Sequence, residues 1–351
     1  MTRPSGAARR DHGAARAERA ASPLRSGGVT SIGSLPHRDA DAAADFVLEN
    51  HPHLPAAPQL PRRSPLEGMV AQAARGIQGV HLDPAGRLSV DVAALDPEAP
   101  VHPHMDGASH AGLLAFLARV AGRTQPVKLQ LTGPVTLGLA LVEAGAPGDV
   151  AFAVAAAAVR SEGRHLLELC RRRLPEAPLL VFLDEPGLAG PGGVPLSTEA
   201  VIDLVSGALA VLEGQATTGV HCCGAADWRA VSAAGPTVLS LPVSARAIGD
   251  GAGALAAHLD RGGWVAWGAV PTAEPIGTDV ERLWRRLADL WAELVVAGAD
   301  PVQLHVQCLV TPACGLAGHG ESQARRALGL ASELAARVSD QASGAGLSLG
   351  V

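Results

Sequence analysis

From about residue 127 onward, short apolar segments of strand length alternate with longer amphipathic segments of helix length. The segment 178–183, Pro-Leu-Leu-Val-Phe-Leu, is apolar almost throughout, which is typical of a parallel strand that is covered on both faces. Strands that alternate with helices form a parallel sheet, because each parallel connection needs a crossover that is usually a helix. The alternation therefore predicts an α/β fold, either a barrel or an open doubly wound sheet.

The number of strands separates these two folds. Eight segments have strand character, and they begin near residues 28, 54, 127, 178, 217, 237, 263 and 306. Eight strand–helix units over roughly 300 residues fit a TIM (β/α)8 barrel, in which functional residues lie at the C-terminal ends of the strands. The open doubly wound sheet is the second choice. No Gly-x-Gly-x-x-Gly motif follows the first strand, which disfavours a dinucleotide-binding fold.

The barrel is predicted to span residues 28–338 as a single domain. Alternating residues on both sides of a Pro-Ala-Gly turn predict a β-hairpin insertion near 79–91. Residues 1–27 are rich in Ala, Arg, Ser and Gly and lack apolar periodicity, which predicts a disordered tail. A transit peptide or a start codon placed too far upstream has the same composition. Residues 339–351, rich in Ser, Gly and Ala, predict a flexible C-terminal tail.

Composition excludes several classes of partner. The formal net charge is −6, and aromatic residues make up 3% of the chain, so neither a basic surface nor a stacking platform for nucleic acid is expected. No apolar run reaches the about 18–20 residues that a membrane-spanning helix needs. Five cysteines without a secretory signal predict a reduced, cytoplasmic setting and not a disulfide scaffold.

Metal-binding side chains follow two of the predicted strands. The segment Thr217-Thr-Gly-Val-His-Cys-Cys-Gly224 reads as a strand that ends in His221 and Cys223, and period-two alternation puts these two side chains on one face. Cys222 then points to the other face, and Cys314 follows the last strand. Zinc accepts imidazole nitrogen and thiolate sulfur together. The pattern predicts a zinc site, and the alternative is a hydrogen-bonded interior histidine with small buried cysteines.

Polar residues also end other predicted strands, and a barrel brings such residues together at one mouth. Ser34 ends the first strand, Thr132 and Thr136 follow the third, and Asp184 with Glu185 follows the fourth. We therefore expect the carboxylates of Asp184 and Glu185 to lie at a substrate site beside the metal ligands. The alternative is that they cap a helix or lie solvated in a loop.

Five short motifs occur in order along the chain. They are Thr30-Ser-Ile-Gly-Ser-Leu-Pro36, Leu131-Thr-Gly-Pro-Val-Thr136, Leu183-Asp-Glu-Pro-Gly-Leu188, Val220-His-Cys-Cys223 and Val310-Thr-Pro-Ala-Cys-Gly-Leu316. Together they resemble the C-terminal catalytic barrel of cobalamin-independent methionine synthase. They are also similar to the wider superfamily that includes the zinc methyltransferases of methanogens and uroporphyrinogen decarboxylase. The resemblance covers roughly residues 28–338 and implies the same TIM barrel.

The resemblance implies a zinc-dependent methyltransferase of methionine biosynthesis, like 5-methyltetrahydropteroyltri-L-glutamate–homocysteine S-methyltransferase. In that family zinc binds the thiol of homocysteine, and the zinc ligands match His221, Cys223 and Cys314. The family's Glu ligand ends the next strand, where this chain reads Thr237-Val-Leu-Ser-Leu-Pro-Val243 without a carboxylate. A set without this Glu is closer to the corrinoid- and coenzyme M-linked branch. Methyl-folate and a methyl-corrinoid protein are therefore both candidate donors, and the fourth zinc position stays open.

The same resemblance implies the contacts with the substrate amino acid. The turn from Ile32 through Gly33 to Ser34 matches the family's contact with the carboxylate. Asp184 matches the contact with the ammonium group and is the predicted catalytic residue, and Glu185 beside it is predicted to bind substrate as well. A second family carboxylate is absent, since residues 59–64 read Gln-Leu-Pro-Arg-Arg-Ser.

Two other functions stay open at this point. A metal-free decarboxylase of the uroporphyrinogen type needs a cationic cleft for several carboxylates, and Arg38, Arg62 and Arg63 are the candidates near the early strand ends. A non-catalytic zinc-binding barrel is the other alternative, because the family's Glu ligand is absent. Zinc content and turnover with a thiol acceptor distinguish the three.

Overall fold

The structure, a computed structural model, describes residues 24–189 and 194–344. The strands in these ranges are β1 (Gly28–Val29), β2 (Val80–Leu82), β3 (Leu88–Val90), β4 (Val127–Thr132), β5 (Leu179–Asp184), β6 (Thr217–His221), β7 (Val238–Pro242), β8 (Trp264–Val270) and β9 (Cys308–Pro312). The α-helices are α1 (Ala40–Asn50), α2 (Met69–Ala74), α3 (Ala111–Arg119), α4 (Pro134–Glu143), α5 (Gly148–Arg173), α6 (Thr198–Leu209), α7 (Trp228–Ala233), α8 (Ala245–Ile248), α9 (Ala252–Asp260), α10 (Val280–Val296), α11 (Pro301–Val306) and α12 (Glu321–Gly344). Within the described ranges, none of the helices combines the length and the apolar character needed to cross a membrane.

Seven of the strands form one parallel sheet in the spatial order β1-β9-β8-β7-β6-β5-β4. Each neighbouring pair in this sheet is parallel, and helices connect the successive strands from β4 to β9. This arrangement confirms the predicted α/β class. It also puts the C-terminal ends of all seven strands at one edge of the curled sheet, where the polar strand ends of the sequence are expected to meet.

The segment 54–60 lies between the two edge strands of the sheet without forming a regular strand. Ala56 forms an isolated parallel bridge with Lys128 of β4, and Gln59 forms one with Ser34 after β1. Two prolines within the segment remove backbone donors, which prevents a continuous ladder. The sequence predicts a second, irregular strand here, and the segment pairs with its two neighbours only through these single bridges. The sheet is TIM-barrel-like, and continuous strand pairing does not close it.

Apolar side chains form two separate cores, as a curled sheet wrapped by helices requires. The larger core lies between the sheet and the helices. The smaller core lies inside the sheet and consists of Leu24, Leu54, Leu180, Phe182, Val238, Ala266 and Leu309. Gly219 faces the Phe182 ring across this interior, and a Cβ atom at Gly219 would collide with the ring. Glycine at this position therefore lets an aromatic ring fill the interior.

Short polar side chains fix where several helices begin. The carboxylate of Asp39, the N-cap of α1, accepts a hydrogen bond of 2.8 Å from the backbone N–H of Ala42. Ser197 and Asp279 cap α6 and α10 in the same way. Each cap satisfies a backbone donor that has no partner within the helix. The caps thereby set the length of the loops that follow the strands, where the candidate site lies.

Order begins earlier in the chain than predicted. Leu24 is buried in the inner core, and the N–H of Gly27 donates a hydrogen bond of 2.8 Å to the carbonyl of Cys308. The last four residues of the tail predicted at 1–27 are therefore part of the fold. Residues 1–23 of that predicted tail lie outside the described residues.

The C-terminal boundary and the last strand also differ in detail from the prediction. Helix α12 continues to Gly344, well into the tail predicted at 339–351, and residues 345–351 lie outside the described residues. The last strand, predicted to begin near residue 306, begins at Cys308, and helix α11 ends at Val306 before it. The hairpin region near 79–91 contains β2 and β3, which pair with each other antiparallel in a sheet of their own.

A buried carboxyl group lies on α5, outside the sheet. Glu162 is 6% exposed, and its Oε2 atom has no hydrogen-bond partner among the described residues. Its Oε1 atom lies 3.9 Å from Nε2 of His110. Burial raises the pKa of Glu162 to about 7 and lowers the pKa of His110 to about 4. Both shifts favour the neutral forms of the two side chains.

We expect the Glu162→Gln variant to be more stable than the wild type above about pH 7, because the buried carboxyl must then ionise. The stabilising contribution of protonated Glu162 is complete below pH 4.5, its ordinary pKa, and is lost as the pH rises through about 7. The amide of Gln does not titrate, so the free energy of unfolding of the variant lacks this pH dependence. Its excess over the wild type should grow with pH to about 3 kcal/mol at most. Thermal unfolding of both proteins from about pH 5 to pH 9 measures it. Parallel curves would contradict the prediction.

Candidate metal centre

Strand β6 ends at His221, whose imidazole is buried. Its Nδ1 atom lies 2.9 Å from the hydroxyl of Ser240, the residue directly opposite on β7. Its Nε2 atom is buried and has no hydrogen-bond partner among the described residues. Burial and the positive charge of Lys128 lower the pKa of His221 to about 3, so the imidazole stays neutral. A neutral imidazole with one nitrogen held by a neighbour and the other unpartnered is arranged as a metal ligand.

Cys223 and Cys314 meet His221 at the C-terminal ends of β6 and β9. One possible ligand atom from each of the three side chains lies within 4.8 Å of the other two. Both cysteines are partly exposed, so the cluster is open on its sulfur side. The thiol of Cys314 donates a hydrogen bond to Cys223, which lowers the pKa of Cys223 to about 6 and raises that of Cys314. The pair therefore loses its first proton more readily than an ordinary thiol.

This set of side chains fits a zinc ion. Zinc takes sulfur at about 2.3 Å and imidazole nitrogen at about 2.0 Å, commonly in one tetrahedral site. The unpartnered Nε2 atom of His221 gives that ion a nitrogen ligand that no protein group uses. Three protein ligands leave one tetrahedral position for water or substrate, which is typical of catalytic zinc sites. Within residues 24–189 and 194–344, no second group of His, Cys, Asp and Glu side chains has this potential.

A cavity of about 810 Å³ opens beside the two sulfurs. Cys223 and Cys314 lie in its wall, together with Pro242 at the end of β7 and the exposed side chains of Arg286 and Glu293 on α10. A volume of this size accommodates a small organic molecule. The cavity therefore gives a route from outside to the open side of the cluster.

Asp184 lies at the end of β5, directly opposite His221 in the strand register. The side chain is buried, and its Oδ1 atom has no hydrogen-bond partner among the described residues. Burial raises the pKa of Asp184, and the positive charge of Lys128 opposes that shift. A buried carboxylate oxygen without a partner, next to a candidate metal ligand, is arranged to receive a cationic group.

Glu185 lies beside Asp184 in the sequence, but its side chain is hydrogen-bonded to the start of α4. Its buried carboxylate accepts hydrogen bonds from the N–H of Val135 at 2.9 Å, from the N–H of Thr136 at 2.7 Å and from the Thr136 hydroxyl at 2.6 Å. A Cβ atom at Gly133 would collide with this carboxylate, so glycine permits the approach. These contacts separate the carboxylates that the sequence suggested as a pair. Contact of Glu185 with substrate stays a prediction.

The turn after β1, from Ile32 through Gly33 to Ser34, lies against the loop of Cys314. The carbonyl of Ser34 accepts a hydrogen bond of 2.8 Å from the backbone of that loop. The Ser34 hydroxyl occupies the place where a side chain on Gly315 would be. Gly33 has φ of +140°, which is strained for residues with a side chain. The structure thus brings the predicted carboxylate-binding turn next to the cluster.

Two polar residues at the site were not predicted from the sequence as site residues. Ser240 holds His221, and Lys128 carries the charge that acts on Asp184. On β4, Lys128 alternates with Gln130 and Thr132, so the three share one face of a buried strand. That polar alternation is the signal that could have indicated an inward-facing group.

The arginines expected for a decarboxylase cleft are engaged elsewhere. Arg62 donates a hydrogen bond of 3.1 Å to the carbonyl of Gly318. Arg63 forms an ion pair of 2.7 Å with Glu67. Arg38 is exposed. These contacts do not favour a cleft that binds several carboxylates.

The fold and the cluster define a TIM-barrel-like α/β protein with a candidate metal centre. No protein-family model matches the sequence, and no curated protein matches it. The structure is similar to that of a B12-independent methionine synthase from Shewanella sp. W3-18-1 in complex with selenomethionine. The TM-score is 0.60 and the sequence identity is 15%, with 91% of this chain and 99% of that chain covered. At this identity the similarity shows the fold.

Proposed function

We propose that the protein is a zinc-dependent methyltransferase that methylates the thiol of a homocysteine-like amino acid. The observation that carries this proposal is the convergence of His221, Cys223 and Cys314 at the strand ends, with an open side facing a cavity. The fold supports it, because the structure similar to this one is that of a methionine synthase. The donor is a methyl-folate or a methyl-corrinoid protein.

The cluster residues have distinct parts in this proposal. His221, Cys223 and Cys314 would hold the zinc ion, which when bound lowers the pKa of a thiol that enters its open position. Ser240 orients the His221 ring, because the hydrogen bond to Nδ1 leaves Nε2 facing the cluster. The cavity beside the sulfurs admits the substrate thiol and the methyl donor.

The substrate amino acid would be held at its two charged ends. The unpartnered carboxylate of Asp184 is the group suited to its ammonium, and the turn from Ile32 to Ser34 is suited to its carboxylate. Fixing both ends orients the substrate sulfur toward the donor, which converts an encounter of two molecules into a reaction of oriented groups. The thiol would give up its proton, and its sulfur would form a bond to the methyl carbon of the donor as the bond from that carbon to the folate nitrogen, or to the corrinoid cobalt, breaks. The electron pair of the broken bond would stay with the donor, and a folate nitrogen would then take up a proton.

Zinc content of protein purified without added metal tests the proposal first. We expect about one zinc per chain, followed by methylation of homocysteine when methyl-folate or a methyl-corrinoid is supplied. A well-folded protein that contains no zinc and takes up none contradicts the methyltransferase. Tightly bound zinc without turnover on any thiol and donor would instead indicate a non-catalytic zinc-binding barrel.

A further inference from the structure

The chain contains 27 arginines and a single lysine, Lys128. This lysine is 1% exposed and lies on the inner face of β4. Removing an ammonium group from water costs several kcal/mol, so a buried lysine needs hydrogen-bond acceptors and opposing charge. The partners of Lys128 therefore show what its charge is used for.

The Lys128 ammonium connects three segments at the place where strand pairing is interrupted. Its Nζ atom donates hydrogen bonds to the carbonyl of Ile32 at 2.7 Å and to Oε1 of Gln130 at 3.2 Å. The side-chain amide of Gln130 in turn donates a hydrogen bond of 2.7 Å to the carbonyl of Ala57, which lies in the irregular segment 54–60. The Phe182 ring lies below the ammonium, with its centroid 4.8 Å from Nζ. Strand β4, the turn after β1 and the segment 54–60 are thus joined through two linked side chains, Lys128 and Gln130.

Lys128 also supplies the charge that opposes burial at Asp184. The positive charge lowers the pKa of Asp184, and the negative charge of Asp184 raises that of Lys128, each against the effect of burial. The two residues lie on the neighbouring strands β4 and β5. Of the two elements proposed to hold the amino acid end of the substrate, the turn at Ile32 is the one that the ammonium group contacts directly.

We propose that Lys128 is a positioning residue for the amino acid end of the substrate. It holds the turn at Ile32 by a hydrogen bond and, together with Gln130, ties that turn to strand β4 and to the segment 54–60. A compact ammonium suits this place better than the planar, five-donor guanidinium of arginine, which needs more space and more acceptors. The inference rests on the proposed function, because the ligand concerned is the substrate amino acid.

The single lysine allows a direct test in the wild-type protein. Zinc-loaded protein labelled with 13C- and 15N-enriched lysine gives one set of lysine side-chain signals, those of Lys128. We expect L-homocysteine to shift these signals and 2-mercaptoethanol, a thiol without the amino acid end, to leave them in place. If homocysteine binds by calorimetry and the signals do not move, or if both thiols move them equally, the inference is overturned. If homocysteine does not bind at all, the proposed function fails and this inference with it.

Two variants separate positioning from plain structural support. Lys128→Met keeps the length of the side chain and removes its charge, and we expect the Kd for homocysteine to rise roughly 10- to 100-fold with zinc content unchanged. Gln130→Met is the matched control, since it breaks the link to Ala57 and keeps the ammonium at Ile32. We expect a much smaller change in Kd for this control. Equal weakening by both variants would assign Lys128 to structural support and overturn the inference, and if Lys128→Met does not fold, the labelled wild type decides.

Discussion

Replacing Cys314 by serine is expected to remove zinc from the protein and to abolish methylation of the thiol. Cys314 is the one cluster residue that does not belong to the β6 strand end, so the site depends on β9 for its third ligand. A serine hydroxyl is a far weaker zinc ligand than a thiolate. We expect the zinc content to fall from about one per chain to near zero. Activity should fall by more than about 100-fold, which is the upper range for changes outside the ligand set.

Cys222→Ala is the matched control for this experiment. Cys222 is adjacent to Cys223, but it is fully buried on the opposite face and lies outside the cluster. We expect this variant to retain zinc even if it unfolds at a lower temperature. Metal analysis after dialysis, with circular dichroism to show that each variant is folded, gives the comparison. A folded Cys314→Ser protein that retains its zinc would exclude Cys314 as a ligand.

The fold class was predictable because the physical cause is local. A parallel strand covered on both faces must be apolar, and the crossover to the next strand needs a helix, so both appear directly in the sequence. The segment 54–60 is a case in which the local pattern does not predict how a segment pairs. It has the spacing and the apolar residues of a strand, but its prolines leave only single bridges to Ser34 and Lys128. Whether a segment pairs regularly depends on the backbone of its neighbours, which the sequence pattern does not contain.

The candidate cluster was predictable for the same reason, since the alternation of side chains along a strand is a local property. The prediction that Asp184 and Glu185 form a pair does not follow that alternation. Alternation placed Cys223 with His221 and turned Cys222 away, and the structure agrees with that arrangement. The same alternation applies to Asp184 and Glu185, which are adjacent and must therefore point to opposite sides. Their shared carboxylate chemistry favours a pair, and the alternation of side chains along the backbone does not. The structure separates them, with Asp184 near the cluster and Glu185 at the start of α4.

The polar alternation along β4 indicates that Lys128 faces inward, but the sequence does not give the partners of Lys128 and Ser240. Each is a polar residue within a strand, and its role depends on a hydrogen-bond partner that lies on another segment. Lys128 reaches the carbonyl of Ile32, 96 positions away in the chain, and Ser240 meets His221 across the strand register. Contacts of this kind arise only when the sheet curls.

The separation of Asp184 from Glu185 leads to the second large expected effect. Glu185→Ala leaves two backbone N–H groups and one hydroxyl at the start of α4 without their acceptor. Each buried donor left unsatisfied costs about 1–3 kcal/mol. We therefore expect the free energy of unfolding to fall by about 3–5 kcal/mol, with Glu185→Gln intermediate because one acceptor oxygen remains. Urea unfolding followed by circular dichroism measures the change.

Asp184→Asn is the matched comparison for Glu185→Ala, and both variants are compared in stability and in homocysteine binding. The Oδ1 atom of Asp184 accepts no hydrogen bond from the described residues, and the variant removes only a charge that acts on Lys128. We therefore expect a smaller fall in unfolding free energy than in Glu185→Ala, together with much weaker binding of homocysteine. If instead Glu185→Ala keeps the stability of the wild type and loses only substrate binding, Glu185 belongs to the substrate site as the sequence first suggested. On the expected outcome, the two adjacent carboxylates differ in the property that is lost when each is replaced. Stability is lost at the residue that caps α4, and recognition is lost at the residue that faces the cluster.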